Sequence, residues 1–277
     1  MAQNVDSTLR QSSVRASSPR VGVIICAAGA SRRFGGKRKK QFVDVDGRAA
    51  FIRSIEFFAD RDDVKQILLA IPKEDEELVQ VKWGANLGFF NVKMYIGAVE
   101  RFETVAKGLE LIKEDIGLVA VHDAVRCCLR KEWIDECFAK AAKTGAAMLA
   151  APVVATIKKV KDGVIEETVD RAGLYEAQTP QVFRTEVLKR AYANLGKVDK
   201  SKISVDSTLR QGSVLAGSPR DDAQLVEALG EKVAIVETDF SNIKITKPSD
   251  VAIAEAIIRA RPKPKAGYVG PYGEAQW

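Results

Sequence analysis

A chain of 277 residues with 46% apolar content can bury a sizeable core in one large α/β domain or two small ones. No apolar run approaches the roughly 18 residues that a membrane-spanning helix needs. A single histidine, His122, excludes a histidine-rich metal site, and the net charge of +6 is local, with Arg32, Arg33, Lys37, Arg38, Lys39 and Lys40 close together. Such a cluster points to one polyanionic ligand rather than a generally basic surface.

In chain order, residues 1–20 are rich in Ser and Arg and lack an apolar stretch, so they read as a disordered leader and not a secretory signal. Residues 21–26 (Val-Gly-Val-Ile-Ile-Cys) form a short β-branched run bounded by small residues, the pattern of a buried strand. Residues 64–71, 117–121 and 146–151 read the same way. Between them, Phe102, Val105, Leu109 and Ile112 share one helical face in 101–113, as do Trp133, Ile134, Cys137, Phe138 and Ala141 in 131–143. Strands alternating with helices predict an α/β, Rossmann-like fold: a mainly parallel sheet with helices on both faces. The alternation stops after 151. Two β-prone runs, 155–160 and 164–169, flank Asp162-Gly163, a strong hairpin signal. Residues 152–178 are therefore expected to form a protruding β-arm. Isolated hairpins are marginal, so a second subunit is expected to cover it. Helix and strand patterns resume at 184–194, 222–229, 232–236 and 249–260, giving one domain over 21–260 with a polar loop at 197–220 and an irregular tail at 261–277. Val5 to Arg20 nearly repeats as Val205 to Arg220; two polar, Ser-rich copies do not make a solenoid and carry no chemical reading. Cys26, Cys127, Cys128 and Cys137 show no C-x-x-C spacing, which fits a reducing, cytoplasmic setting.

Two segments could carry chemistry. After the strand 21–26 come Ala27, Ala28, Gly29, Ala30, Ser31, Arg32 and Arg33, then the basic run. Small residues there let backbone N–H groups approach an anion, and the nearby cations supply countercharge. The segment matches neither the P-loop nor the dinucleotide fingerprint. A phosphate ligand, a solvated basic loop and a nucleic-acid patch all remain open from these residues alone, although few aromatics are interleaved for base stacking. The second segment ends a buried strand in His122-Asp123-Ala124-Val125-Arg126. Asp123 is placed to hold a divalent cation against phosphates, or else to cap a turn or pair with Arg126.

The ordered set Ala27-Ala28-Gly29, Arg33, Lys40-Gln41, Gly97, Arg101, Thr104-Val105, His122-Asp123-Ala124, Arg126, Ala151-Pro152-Val153, Thr156-Ile157-Lys158, Ala177-Gln178-Thr179-Pro180-Gln181, Asp221-Asp222-Ala223 and Asn242-Ile243-Lys244-Ile245-Thr246 resembles the 2-C-methyl-D-erythritol 4-phosphate cytidylyltransferases of the non-mevalonate isoprenoid pathway. The resemblance covers about residues 21–260. It implies a nucleotidyltransferase-type fold that transfers CMP from CTP to the polyol phosphate with Mg²⁺ or another divalent cation, working as a homodimer joined by the β-arm, with neither nucleic acid nor membrane as partner. By resemblance, Ala27, Ala28, Gly29, Ala30, Arg33, Lys40, Gly97, Arg101 and Thr104 bind the nucleotide. Arg33, Lys40, Asp123 and Lys244 are the implied catalytic residues, with Asp123 on the metal. Arg126, Thr156, Arg171 and Thr179 are implied to hold the acceptor, Thr156 and Arg171 serving the neighbour's site. The pattern departs from the family at Ser31 (usually Gly), Lys39 (usually Pro), Val99 (often acidic) and Cys127 (usually Pro). Ribitol 5-phosphate cytidylyltransferases are a rival resemblance, and a catalytically inactive nucleotide-binding relative is another. The Ala151-Pro152-Val153, Thr156-Ile157-Lys158 and Asp221-Asp222-Ala223 segments favour methylerythritol phosphate.

Overall fold

The computed structural model describes residues 19–31, 34–35, 39–195 and 218–262. Arg33, nearly all of the leader, most of the polar loop, most of the repeated segments and most of the tail lie outside the described residues.

The chain opens with β1 (Val21–Cys26), followed by a 3-10 turn at Lys40–Phe42, a small ribbon of β2 (Asp44–Val45) and β3 (Arg48–Ala49), and α1 (Ala50–Ala59). Then come β4 (Val64–Ile71), α2 (Glu76–Phe89), β5 (Val92–Ile96), α3 (Arg101–Glu110), β6 (Leu118–Asp123), α4 (Lys131–Thr144) and β7 (Ala146–Pro152). A hairpin of β8 (Ile157–Lys161) and β9 (Val164–Val169) precedes β10 (Tyr175–Arg184), α5 (Thr185–Ala193), α6 (Asp222–Ala228), β11 (Ala234–Glu237) and α7 (Ser249–Ala260). Seven strands form one sheet in the order β11-β7-β10-β6-β1-β4-β5. β10 runs antiparallel to both its neighbours, and every other pairing in this sheet is parallel.

β1 shows why its apolar run is continuous. Val23 and Ile25 pack into one core and Ile24 into another, and all three are fully buried. Alternate side chains point to opposite faces, and a central parallel strand has helices on both. The first core takes Phe51, Ile55 and Phe58 from α1 and Ile134 and Phe138 from α4. The second takes Val105 and Leu109 from α3, Leu188 and Ala191 from α5, and Leu225 and Val226 from α6.

β10 lies outside the strands expected from the sequence. Pro180 sits in its middle, and proline cannot donate to a ladder, so the run does not read as a central strand. The pairing with β7 breaks between Ala177 and Gln181, placing Gln178, Thr179 and Pro180 opposite a single residue. A bulge of this kind accommodates proline and re-aims its neighbours, and Thr179 turns its hydroxyl onto β6. The hairpin is a separate two-stranded sheet. Its turn has Asp162 at φ 51° and Gly163 at φ 81°, the left-handed pair that a tight hairpin turn requires.

Candidate active site

The register of β1 against β6 sets Cys26 beside Asp123. The chain leaves β1 through Ala27, whose N–H donates to the Ala70 carbonyl at 3.0 Å. Ala27 is buried, Ala28 half-buried, and Gly29 and Ala30 are exposed at the carboxyl end of the parallel strands, where open α/β sheets take their ligands. Gly97, just past β5, closes on this loop: a Cβ there would lie 2.4 Å from the Cβ of Ala28 and 3.2 Å from Thr104 Oγ1. Only glycine fits. The Thr104 hydroxyl accepts the Ala98 N–H at 2.9 Å and donates to the Glu100 carbonyl at 3.1 Å, fixing the turn that enters α3.

Ser31 has φ 54°, a left-handed conformation that costs a residue with a Cβ. Its hydroxyl offsets that cost by donating to Gln41 Oε1 (2.9 Å) and accepting the Lys40 N–H (3.1 Å), while Gln41 Nε2 donates to the Gly29 carbonyl (3.3 Å). Phe42 stacks on Trp83 (5.4 Å) and meets Phe51 edge-on (5.7 Å), anchoring the turn that carries Lys40. Lys39 is engaged elsewhere: its ammonium lies 2.7 Å from both Glu74 and Asp75. Burial opposes its charge, and these two carboxylates outweigh burial and raise its pKa.

Asp123 is the focus of the charge. Its carboxylate meets Lys244 at 2.6 Å, Arg101 at 3.4 Å and Arg126 at 3.7 Å. Burial alone would raise its pKa, but Lys244, Arg101 and Arg126 together hold it well below the usual carboxylate range. Asp123 stays ionised, with three cations facing its carboxylate. Arg126 is buried and braced by the Asn242 carbonyl (2.7 Å) and the Ala177 carbonyl (3.1 Å). The Asp123 N–H donates to Thr179 Oγ1 (3.1 Å), so the bulge in β10 feeds the site directly.

Neither His122 nor Cys26 is set up for covalent or proton-transfer chemistry. His122 is wholly buried, contacts Thr179 Oγ1 at 3.0 Å and packs edge-on against Phe58. Burial pushes its pKa down to about 3, so it is neutral. Burial pushes the Cys26 thiol up to about 12, so it stays protonated at neutral pH. All four cysteines are free thiols.

The structure brings Asp123, Lys244, Arg101, Arg126 and Thr179 together, and sets Ala28, Gly97 and Thr104 in one adjoining wall. Arg33 lies outside the described residues. Thr156 and Arg171 are exposed on the arm, where the Arg171 guanidinium donates to the Val154 carbonyl. Among the described residues, no hydrogen bond or ion pair joins either of them to the Asp123 cluster. Three polar residues were not assigned roles from sequence. Asp222, on α6, lies 2.8 Å from Arg101. Gln178 accepts from Thr238 and Asn242, and Gln181 accepts the N–H groups of Asp222 and Ala223.

The family model for 2-C-methyl-D-erythritol 4-phosphate cytidylyltransferase matches residues 21–260. The chain belongs to this family. A relative from Endomicrobium trichonymphae, bearing the same name, is 40% identical over 238 residues, spanning 86% of this chain and 98% of that protein. Another, from Rhodopirellula baltica, is 38% identical and covers 86% of this chain and 94% of its own. Among solved structures, the 4-diphosphocytidyl-2C-methyl-D-erythritol synthase of Anaerococcus prevotii superposes with a TM-score of 0.69 at 25% identity, covering 87% of this chain and 97% of that one. The Thermus thermophilus cytidylyltransferase does so with 0.65 at 28% identity, covering 87% and 99%. In this cytidylyltransferase, Ser31 and Lys39, the positions expected to depart from the family loop, both have local partners that hold it. No helix among the described residues is long and apolar enough to cross a membrane.

Proposed function

We propose that the chain transfers CMP from CTP to 2-C-methyl-D-erythritol 4-phosphate with release of pyrophosphate, and that Lys40, Asp123, Lys244 and Arg33 carry the step. The observation that supports the roles of Asp123 and Lys244 most is the cationic cluster around ionised Asp123 in a family member, while Lys40 and Arg33 rest on the family resemblance. The acceptor phosphate is already an anionic nucleophile near neutral pH, so no general base is required, in keeping with a neutral His122. The barrier is repulsion between two polyanions. Fixed Lys and Arg donors lower it by positioning both and stabilising the charge that builds on the α-phosphate. Ala27, Ala28, Gly29 and Ala30 line the triphosphate, with Gly97, Arg101 and Thr104 beside the nucleoside. Arg126 and Thr179 hold the acceptor.

Among the described residues, no three His, Cys, Asp or Glu side chains gather into a metal site. Asp123 alone fits Mg²⁺, which usually takes one or two carboxylates and completes its shell with water and substrate phosphates. When bound, such an ion neutralises phosphate oxygens. The chain's part is to present Asp123 ionised, on a strand end whose main-chain N–H is held by the Thr179 hydroxyl.

The arm completes the site in trans. Val160, Val164 and Ile165 are exposed on the hairpin, and Val154 and Leu174 flank it. Two strands alone are marginally stable, so a second copy covers this surface and receives Thr156 and Arg171. The test is pyrophosphate release with CTP and Mg²⁺, comparing methylerythritol phosphate, ribitol 5-phosphate and no acceptor. Release confined to the first is expected. Release only with ribitol 5-phosphate would move the acceptor assignment, and release with neither would refute transfer.

A further inference from the structure

Asp222 is a carboxylate with no exposed side-chain surface, and it lies on a different element from the rest of the Asp123 cluster. Burying such a group costs several kcal/mol unless it is paired and hydrogen-bonded. It is both. Its Oδ2 lies 2.8 Å from Arg101 Nη2, and its Oδ1 accepts the Tyr192 hydroxyl at 2.6 Å. Its own N–H and that of Ala223 donate to Gln181 Oε1 at 3.1 and 2.9 Å, and Gln181 Nε2 donates to Asp221 at 3.0 Å. Asp221 in turn caps α6 by accepting the Gln224 N–H at 2.9 Å. Residues on α5, α6 and β10 thus lock one carboxylate against one guanidinium.

Arg101 sits between two carboxylates. It is short to Asp222 (2.8 Å) and long to Asp123 Oδ1 (3.4 Å), while Lys244 and Arg126 face the other oxygen, Oδ2. We propose that Asp222 is a positioning residue that restrains Arg101, holding its guanidinium to one long Nε–H donation to Asp123 Oδ1 (3.4 Å) so that a divalent cation can displace it from that oxygen. This rests on the reading of Asp123 as the cation's ligand. Without the Asp222 charge, Arg101 has one carboxylate left, closes on it, and competes with the cation. With the charge present, Arg101 stays paired with Asp222 at the edge of the site.

The test measures the Mg²⁺ concentration giving half-maximal CMP transfer in the wild type, Asp222→Asn, Arg101→Gln and the double variant. Binding of Mn²⁺ to each protein with CTP and no acceptor provides a readout independent of turnover. Asp222→Asn is expected to raise both midpoints about tenfold, the size of one charge-assisted hydrogen bond. In the Arg101→Gln background the same substitution is expected to shift neither. A merely structural Asp222 would lower turnover at every Mg²⁺ concentration with the midpoint unchanged, and that result overturns the proposal. So does a shift that persists without Arg101. If Asp222→Asn fails to fold, Tyr192→Phe decides: it keeps the carboxylate but loses one of its donors, and a smaller shift in the same direction is expected, whereas no shift refutes the restraint. A wild type that transfers CMP without any divalent cation would sink the reading of Asp123 and the proposal with it. A cation-dependent wild type with unshifted variants would sink the proposal alone.

Discussion

The Asp123 cluster and the β-arm are built on opposite terms. The cluster is sunk in the sheet: Asp123 and Arg126 are buried, each is fixed by neighbours from several elements, and the pKa of Asp123 is driven down by three cations. The arm stands off the sheet, with Val160, Val164 and Ile165 exposed and Thr156 and Arg171 at its base. One region holds a preorganised charge pattern that needs nothing further to exist. The other presents apolar surface and two polar side chains without a site of their own. Stabilising charge on a phosphate demands rigidity, whereas reaching a neighbouring subunit demands projection.

The largest effect that separates them is on turnover. Lys40→Ala or Lys244→Ala should lower kcat by about 10²–10³ at saturating CTP, as for loss of one preorganised donor. Steady-state kinetics checks this, and near-normal turnover would remove that lysine from the chemistry. Arm substitutions should act differently. Arg171→Ala is expected to raise KM for the acceptor about tenfold, as for one lost charged hydrogen bond, while CTP binding measured by calorimetry stays unchanged. Equal loss of affinity for both ligands would contradict the division. Ile165→Lys should shift sedimentation from dimer to monomer, since a charge buried against a second copy is unpaired; an unchanged dimer would place the interface elsewhere.

The effect furthest from turnover concerns His122. Its folded pKa near 3 lies below the ordinary 6.5, so the unfolded chain takes up a proton first as pH falls. Stability is therefore lost as pH drops from 6.5 toward 3, with a slope from this residue of up to about 1.4 kcal/mol per pH unit. Asp123 loses its contribution only at lower pH, below its ordinary value of 3.8. Denaturant melts of His122→Asn should show a shallower decline between pH 6 and 4; an identical decline would mean that His122 does not titrate on unfolding.

Much of the cluster's scaffold was legible in the sequence because local pattern and burial agree. The run 21–26 is a strand, β6 ends in Asp123, and Asp162-Gly163 makes the hairpin turn. β10 was not legible, since Pro180 breaks the local rule and the bulge that absorbs it is set by pairing with β7. Asp222 was visible as part of a motif, but its meaning depends on Arg101 and Tyr192, which come from distant parts of the chain. The departure at Lys39 could be noted but not interpreted: only folding brings Glu74 and Asp75 to it. Ion pairs between elements leave no periodicity to read.

The most direct test of the two-region account is to mix two proteins that are inactive at low acceptor concentration, Asp123→Asn and Arg171→Ala combined with Thr156→Ala, let subunits exchange, and assay CMP transfer at that concentration. If the arm serves the neighbour's site, each mixed dimer holds one site with both regions intact, and activity should return to about a quarter of the wild-type level at equal mixing. Activity no higher than the sum of the separate proteins would contradict completion of the site in trans.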